Sequence, residues 1–160
     1  MTLVLGIDPG QTGGLALVQG GDGRRLKLLS AMPMPLLNVR KKKIADTIAA
    51  YEFFCMYVID IGVTELVSSM PAQGVASSFQ FGRAFGGIET LPYRLCATQE
   101  YATPSVWKQH MGLSKDKNAS IDLATRMFGR AAAEKYWPLK KHDGVAEAAL
   151  IAAYWIKKEF

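Results

Sequence analysis

The sequence predicts a single α/β domain built around a mixed sheet. Apolar runs over residues 3–7, 15–19 and 26–32 are separated by turns rich in glycine and aspartate, which is typical of consecutive antiparallel strands. Helices and strands alternate after residue 44, and a chain that combines these two patterns favours one mixed sheet flanked by helices. A length of 160 residues fits one domain with a substantial core, which we assign to residues 1–160.

The other elements follow from the spacing of apolar residues and from turn signals. Residues 33–43 contain Pro33, Pro35 and a basic run from Arg40 to Lys43, and we expect a solvated loop there rather than a dedicated DNA contact. In chain order, the remaining predictions are a helix over 44–57, a strand over 58–67, a loop over 68–74, a helix over 75–89, a strand over 91–99, and helices over 105–111, 118–128 and 143–157.

The composition indicates an ordinary globular protein with a basic surface. The formal net charge of +5 favours a polyanionic partner. Cys55 and Cys96 match no zinc spacing, so we expect reduced thiols in a cytosolic environment. The first residues lack the basic segment of a signal peptide, and no apolar run is long enough to span a membrane. We therefore expect a cytoplasmic protein without membrane contact.

Four carboxylates are placed where chemistry could use them. Asp8 ends the first strand, Glu65 lies late in another strand, and Asp143 and Glu147 are four residues apart at the start of the last helix. An unpaired carboxylate at a buried strand costs several kcal/mol, so Asp8 needs a partner such as a turn, an arginine or a metal ion. Acids from two strands and one helix are the hard oxygen ligands that Mg²⁺ prefers.

Each acid also has a simpler interpretation. Asp8 could accept hydrogen bonds from the turn that follows it, and Glu65 could be a surface residue, with Asp60 an equally visible acid in the same strand. Asp143 could be the N-cap of its helix.

The motifs resemble a known family. The GIDPGQTG segment at 6–13, the strand glutamate and the late acidic helix are similar to the RuvC family of Holliday-junction resolvases. The segments ELVSSMPAQGVASSFQFGRAFG at 65–86, SVWKQHMGLSKDKNAS at 105–120 and KHDGVAEAALIAAY at 141–154 resemble the phage and prophage branch of that family. The resemblance covers nearly the whole chain.

The resemblance implies a fold, a substrate and a metal site. It implies an RNase H-like fold with a five-stranded mixed sheet, and a homodimer that cuts four-way DNA junctions by two-metal phosphodiester hydrolysis with Mg²⁺ or Mn²⁺. Asp8, Glu65, Asp143 and Glu147 would hold two ions. The last two acids are four residues apart here rather than three, which leaves His142 as an alternative ligand to Asp143.

Basic and aromatic residues complete the expected site. The resemblance places Lys108, Lys115 and Lys117 beside the scissile phosphate, where all three would bind DNA and Lys115 and Lys117 would act in catalysis; a solvated start of a helix is the alternative interpretation. Arg83 and Phe79 would also contact DNA. We expect one of Phe79 and Phe81 in the core, and the other ring, or Phe85, in contact with the junction or with the dimer partner.

Two other functions stay open from the sequence. RNase H-like nucleases that process ribosomal RNA share the GIDPG start, although the MPAQG and KDKNAS segments argue against them. A catalytically silent junction-binding module is the second alternative.

Overall fold

Strand β1 (Thr2–Asp8) is buried through its middle and is the centre of the fold. The computed structural model describes residues 1–23, 25–68, 74–114, 116 and 118–160. The described strands are β1, β2 (Gly14–Gly20), β3 (Lys27–Pro33), β4 (Leu36–Val39), β5 (Lys42–Ala45), β6 (Ile59–Glu65) and β7 (Cys96–Ala102). The described α-helices are α1 (Thr47–Phe54), α2 (Val75–Glu89), α3 (Pro92–Leu95), α4 (Pro104–His110), α5 (Ala119–Phe128), α6 (Arg130–Tyr136) and α7 (Asp143–Glu159), with one 3₁₀ turn at Lys140–His142.

Five strands of the described chain form one mixed sheet in the order β3-β2-β1-β6-β7. Strands β1, β2 and β3 are antiparallel neighbours, whereas β6 is parallel to β1 and β7 is parallel to β6. The mixed sheet expected from the sequence is confirmed. Because β1 and β6 run in the same direction, their carboxyl ends meet at one edge of the sheet.

Helices cover both faces of this sheet. Successive residues of a strand point to opposite faces, so Val4 belongs to a core beneath α7, whereas Leu5 and Ile7 belong to a second core beneath α1 and α3. Helix α7 is alanine-rich and buried over most of its length, and it lies across β1 and β2. In the part of the chain that the structure describes, no helix has the length and apolar character needed to cross a membrane.

Helix α7 lies unusually close to the sheet because glycine faces it. A Cβ atom on Gly6 of β1 would lie 2.8 Å from the Ala152 nitrogen and closer still to the Ala148 carbonyl oxygen. A Cβ atom on Gly144 would lie 2.6 Å from the Gly13 Cα atom, and Gly13 and Gly144 form an isolated bridge between the β1–β2 turn and α7. These contacts fix where the first turn of α7 stands relative to the end of β1.

Several sequence predictions were wrong in detail. The basic segment expected as a loop is the hairpin β4–β5. The helix expected over 44–57 begins later, at Thr47, because Ile44 belongs to β5. The Asp46 carboxylate caps this helix by accepting a hydrogen bond from the Ala49 N–H at 3.0 Å. The strand expected over 91–99 begins only at Cys96, and the residues before it form α3. Pro92 lies in the first turn of α3, where proline is tolerated. Helix α6 was not predicted.

The tight contact between α7 and β1 generates a stability prediction. We expect Gly6→Ala to lower the midpoint of thermal unfolding by roughly 5–10 °C, because the added methyl group meets backbone atoms of α7 that cannot rotate away. Gly86→Ala is the matched control: apart from its own helix backbone and chain neighbours, no described atom lies within 4 Å of its added Cβ, so the greater helix propensity of alanine should leave the midpoint equal or higher. Equal midpoints for the two variants would contradict the close packing of α7.

Candidate functional site

Two carboxylates meet where the central parallel strands end. The register pairs Ile7 of β1 with Thr64 of β6, so the next residues, Asp8 and Glu65, follow at the same edge of the sheet. Glu65 is only 6% exposed, and Asp8 is half-buried. Among the described residues, no hydrogen bond joins the Asp8 carboxylate to the turn that follows it. Neither acid therefore behaves as an ordinary surface or turn residue.

The first turn of α7 brings a second pair of carboxylates toward the same edge. Asp143 is the first residue of the helix and Glu147 lies one turn later; both are half-buried. The N-cap position belongs to His142, so the interpretation of Asp143 as the N-cap is wrong. Asp143 and Glu147 line a cleft of about 640 Å³ together with residues of α4, α5 and the segment between them.

Glu147 is held by two neighbours. The Lys108 Nζ atom lies 3.1 Å from its Oε1 atom and 3.0 Å from its Oε2 atom, and the Ser120 hydroxyl donates a hydrogen bond to Oε1 at 2.8 Å. Lys108 extends from α4 and Ser120 from the first turn of α5. These charge-assisted contacts fix the rotamer of Glu147 within the cleft.

Glu65 is held by one buried partner. The Trp107 indole N–H donates to the Glu65 Oε1 atom at 2.8 Å, and the Trp107 side chain is itself fully buried in the core. The adjacent Lys108 Nζ lies 5.2 Å from the Trp107 ring centroid. One turn of α4 therefore supplies a donor to each of the two glutamates.

The charges of the site interact with one another. Burial raises the pKa of Asp8 well above its usual value, and the nearby carboxylates of Glu65, Glu147 and Asp143 raise it further, whereas Lys108 lowers it. Burial also raises the pKa of Glu65, and Glu147 adds to this effect, while the hydrogen bond from Trp107 and the charge of Lys108 oppose it. The four acids therefore form one cluster whose negative charge exceeds the positive charge near it.

The donor chemistry of this cluster suits a hard divalent cation. Carboxylate oxygens from two strand ends and one helix face a common region, and their mutual repulsion falls when a cation binds between them. Within the described residues, no three His, Cys, Asp or Glu side chains are arranged to hold a metal ion as they stand. Glu65 and Glu147 instead direct oxygens toward Trp107 and toward Lys108 and Ser120.

The remaining predicted residues lie in different places. Lys108 contacts Glu147, and Asp60 lies on the exposed surface at the opposite end of β6, where it accepts a hydrogen bond from the Leu3 N–H. Arg83 and Phe79 are exposed on α2, with Phe79 67% accessible. Lys115 and Lys117 lie outside the described residues.

The α2 aromatic residues differ from expectation, whereas the role of His142 stays a prediction. Phe81 and Phe85 are half-buried, and neither they nor Phe79 belong to the two buried clusters, so the expectation that one ring enters the core was wrong. The His142 Nδ1 atom is buried and has no hydrogen-bond partner in the described chain.

Sequence reasoning missed Trp107 and Ser120. Trp107 directly precedes Lys108, and its indole N–H is a donor that must find a partner once the ring is buried. Ser120 lies in the first turn of a helix, where a serine hydroxyl usually forms a hydrogen bond with a nearby backbone group. Neither sequence pattern predicts that a distant glutamate accepts the hydrogen bond.

Comparison with known proteins gives structural matches alone. No protein-family model matches the chain, and no curated protein matches it in sequence. The structure of T. thermophilus RuvC in complex with Holliday junction substrate is similar, with a TM-score of 0.66, 16% identity, and coverage of 98% of this chain and 96% of that chain. A second Thermus thermophilus RuvC structure has a TM-score of 0.65, 17% identity and coverage of 99% and 97%.

At this level of identity the likeness shows the fold. The chain has the RuvC-type, RNase H-like architecture of a mixed five-stranded sheet flanked by helices, and the predicted fold class is confirmed.

The crowded charges generate a prediction about pH and stability. Because burial and neighbouring acids raise the pKa values of Asp8 and Glu65 in the folded protein, the folded state binds their protons more tightly than the unfolded chain does. The stability of the metal-free protein should therefore fall as pH rises from about 4, the unfolded value, through the raised values. Asp8→Asn should raise the metal-free unfolding midpoint at pH 7 and flatten this pH dependence.

Asp60→Asn is the matched control because it neutralises an exposed acid of β6 and keeps the oxygen that accepts the Leu3 hydrogen bond. It should change neither the midpoint nor the pH profile. Thermal unfolding in a chelating buffer between pH 4 and pH 8 measures both. A lower midpoint for Asp8→Asn at pH 7 would show that the Asp8 charge stabilises the metal-free fold.

Proposed function

We propose that this protein is a structure-selective, divalent-metal-dependent DNA endonuclease that resolves four-way junctions. The observation that carries the proposal is the cluster of Asp8, Glu65, Asp143 and Glu147 at one edge of a RuvC-type sheet. One of the two similar structures is a RuvC bound to a Holliday junction substrate. The net charge of +5 also suits a polyanionic substrate.

The acids would hold the metal. Asp8 and Glu65 would supply ligands from the sheet, and Glu147 and Asp143 would supply them from α7, with His142 as the alternative to Asp143. Divalent ions held there would supply the Lewis-acid chemistry that activates water and stabilises the leaving oxygen in phosphodiester hydrolysis. Carboxylates that are already buried and crowded lose repulsion on binding such ions, which supports this assignment.

The chain's own residues would orient these ligands. Trp107 fixes one oxygen of Glu65 through its hydrogen bond. Ser120 and Lys108 fix Glu147 in the cleft. Because Lys108 carries a positive charge beside three of the acids, it would also face the phosphate of a bound strand, as we expected for a DNA contact.

The other expected contacts keep their roles as proposals. Lys115 and Lys117 would offset negative charge that develops at the scissile phosphate. The exposed Arg83 and Phe79 on α2 would contact the junction, Arg83 through phosphates and Phe79 by stacking on a base. A homodimer would place two such sites on opposed strands. The segments at 65–86, 105–120 and 141–154 support a place in the phage and prophage branch.

A cleavage assay on matched DNA substrates tests this function. We expect the wild-type protein with Mg²⁺ or Mn²⁺ to cut a synthetic four-way junction in opposed strands faster than a Y-fork, and both faster than linear duplex. Asp8→Asn and Glu65→Gln should lower junction cleavage by at least about a hundredfold, more than the usual loss for residues that only support a ligand. Both variants should bind the junction as well as the wild type or better, because they remove negative charge.

Asp60→Asn should cleave at the wild-type rate, since Asp60 lies at the opposite end of β6. Equal cutting of junction and linear duplex would remove the resolvase assignment and leave a general nuclease. Preference for structured RNA would indicate the ribosomal-RNA-processing alternative. Junction binding without cleavage in any divalent metal would indicate a silent binding module.

The helix pair is tested by Asp143→Asn and Glu147→Gln. We expect both substitutions to remove most junction cleavage and most of the rise in unfolding midpoint that Mg²⁺ produces, because a ligand that binds only the folded protein stabilises it by mass action. Asparagine suits the first turn of a helix, so the fold should survive in Asp143→Asn. Cleavage by Asp143→Asn within a few-fold of wild type would assign the helix contribution to Glu147 and His142.

A further inference from the structure

The hairpin β4–β5 presents a basic tip held by a two-residue turn. Val39 pairs with Lys42, so Arg40 and Lys41 alone connect the strands. Their φ angles are +48° and +63°. Positive φ at both central residues is the geometry of a type I′ turn, which favours Asn-Gly because these residues adopt it at low cost. Arginine and lysine are poor residues for this turn, so turn stability does not account for them.

The charge of this hairpin is unbalanced. Arg40, Lys41, Lys42 and Lys43 are all exposed, and in the part of the chain that the structure describes none of them forms an ion pair. Four consecutive cations without a carboxylate partner repel one another and cost stability in the free protein. The repulsion among these cations falls when an anion binds, which points to an anionic partner.

The hairpin is fixed beside the acid cluster. The Met34 N–H donates to the Gly13 carbonyl oxygen at 3.0 Å just before β4, and the Gln11 side-chain amide donates to the Lys43 carbonyl oxygen at 3.5 Å. Gly13 and Gln11 belong to the turn that directly follows Asp8. The basic tip and the acidic edge of the sheet are therefore attached to the same turn.

A cleft of about 990 Å³ separates this hairpin from α2. Gly10, Gln11, Lys42 and Lys43 line one side, and α2 residues that include Phe79 and Phe81 line the other. No Asp or Glu is among the described residues that line it. Cations opposite aromatic rings, of which Phe79 is exposed, form the kind of groove that binds nucleic acid strands.

We propose that the Arg40–Lys43 hairpin is a DNA-binding arm that grips the phosphate backbone of the helical arm next to the cleavage site. The inference rests on the proposed function, because the DNA bound at the acid cluster would also be the anion that contacts the hairpin. The chain path from Asp8 through Gln11 and Lys43 to the tip spans at most on the order of 30 Å. One turn of duplex is about 34 Å long, so a single duplex arm covers both points.

The test separates the charge of the tip from its structure. The double variant Arg40→Asn/Lys41→Gly removes two charges and installs the residues that the turn favours, so its unfolding midpoint should equal or exceed that of wild type. Its affinity for a four-way junction, measured in Ca²⁺ or chelator to prevent cutting, should fall about tenfold near 0.1 M salt. The slope of log affinity against log salt should become shallower by about 2.

The control removes two charges far from the arm. Lys27 of β3 is paired with Gln19 of β2, which is paired with Leu3 of β1, so Lys27 lies near the end of β1 that is opposite Asp8. Lys157 lies near the end of α7. Lys27→Gln/Lys157→Gln should keep wild-type affinity and slope. An equal loss of junction affinity in both double variants would mean that net charge alone determines binding. Unchanged affinity and slope in Arg40→Asn/Lys41→Gly would mean that the hairpin contacts no DNA. Either result overturns the inference.

Failure of the inference is distinguishable from failure of the proposed function. Wild-type protein that binds and cuts the junction while the hairpin variant binds equally well overturns the arm alone. Wild-type protein that neither binds nor cuts junctions overturns the proposed function and the arm together.

Discussion

The direct contact between α7 and the β1–β2 pair is the constraint on which the site depends. Side chains normally separate the backbone of a helix from the backbone of the sheet beneath it. Here Gly6 of the sheet faces the α7 backbone, and Gly144 of the helix faces the turn after β1. The resulting approach is closer than any pair of side chains would permit. It aligns the start of α7 with the end of β1, so Glu147 and Asp143 act electrostatically on Asp8 although they lie more than 130 residues away in sequence.

The packing that creates the site also concentrates like charges in it. Burial and neighbouring carboxylates raise the pKa values of Asp8 and Glu65; Lys108 opposes this at both acids, and the Trp107 hydrogen bond opposes it at Glu65. The ion pair of Lys108 with Glu147 is only partly shielded from water, so the pair positions Glu147 more than it stabilises the fold. The remaining repulsion is a stability cost that a bound cation would remove. The cations of the described residues therefore leave the acid cluster with a net negative charge.

The sequence was sufficient for the elements with strong local signals. An apolar strand that ends in Asp8, a later strand that ends in Glu65 and an alanine-rich helix that starts with Asp143 are all visible as patterns, and the parallel pairing of β1 with β6 then brings the first two acids to one edge. Interactions between distant side chains are not visible in this way. The donors Trp107 and Ser120 meet their glutamates 42 and 27 residues away, and no periodicity encodes such a pairing.

The hairpin shows the other limit of sequence reasoning. Two prolines and a run of cations are typical of a loop, and Arg-Lys is an unfavourable pair at a two-residue turn, so local signals argued against strands. Backbone contacts at the base of the hairpin override these signals. Met34, just before β4, is buried and donates a hydrogen bond to Gly13, and Asp46, just after β5, donates one to Pro35.

The turn that links β1 to β2 is consequently shared by two clusters of opposite charge. One of its ends carries Asp8, and its later residues support the base of the basic hairpin. Cations and anions placed this close would normally form ion pairs and cancel. Among the described residues no ion pair joins the two clusters, and Glu65 and Glu147 contact Trp107 and Lys108 of α4 instead. A rigid separation of unneutralised charges is unfavourable in the free protein. It becomes favourable when one ligand brings phosphates to the basic tip and cations to the acids at the same time, and a DNA strand with its metal ions is such a ligand.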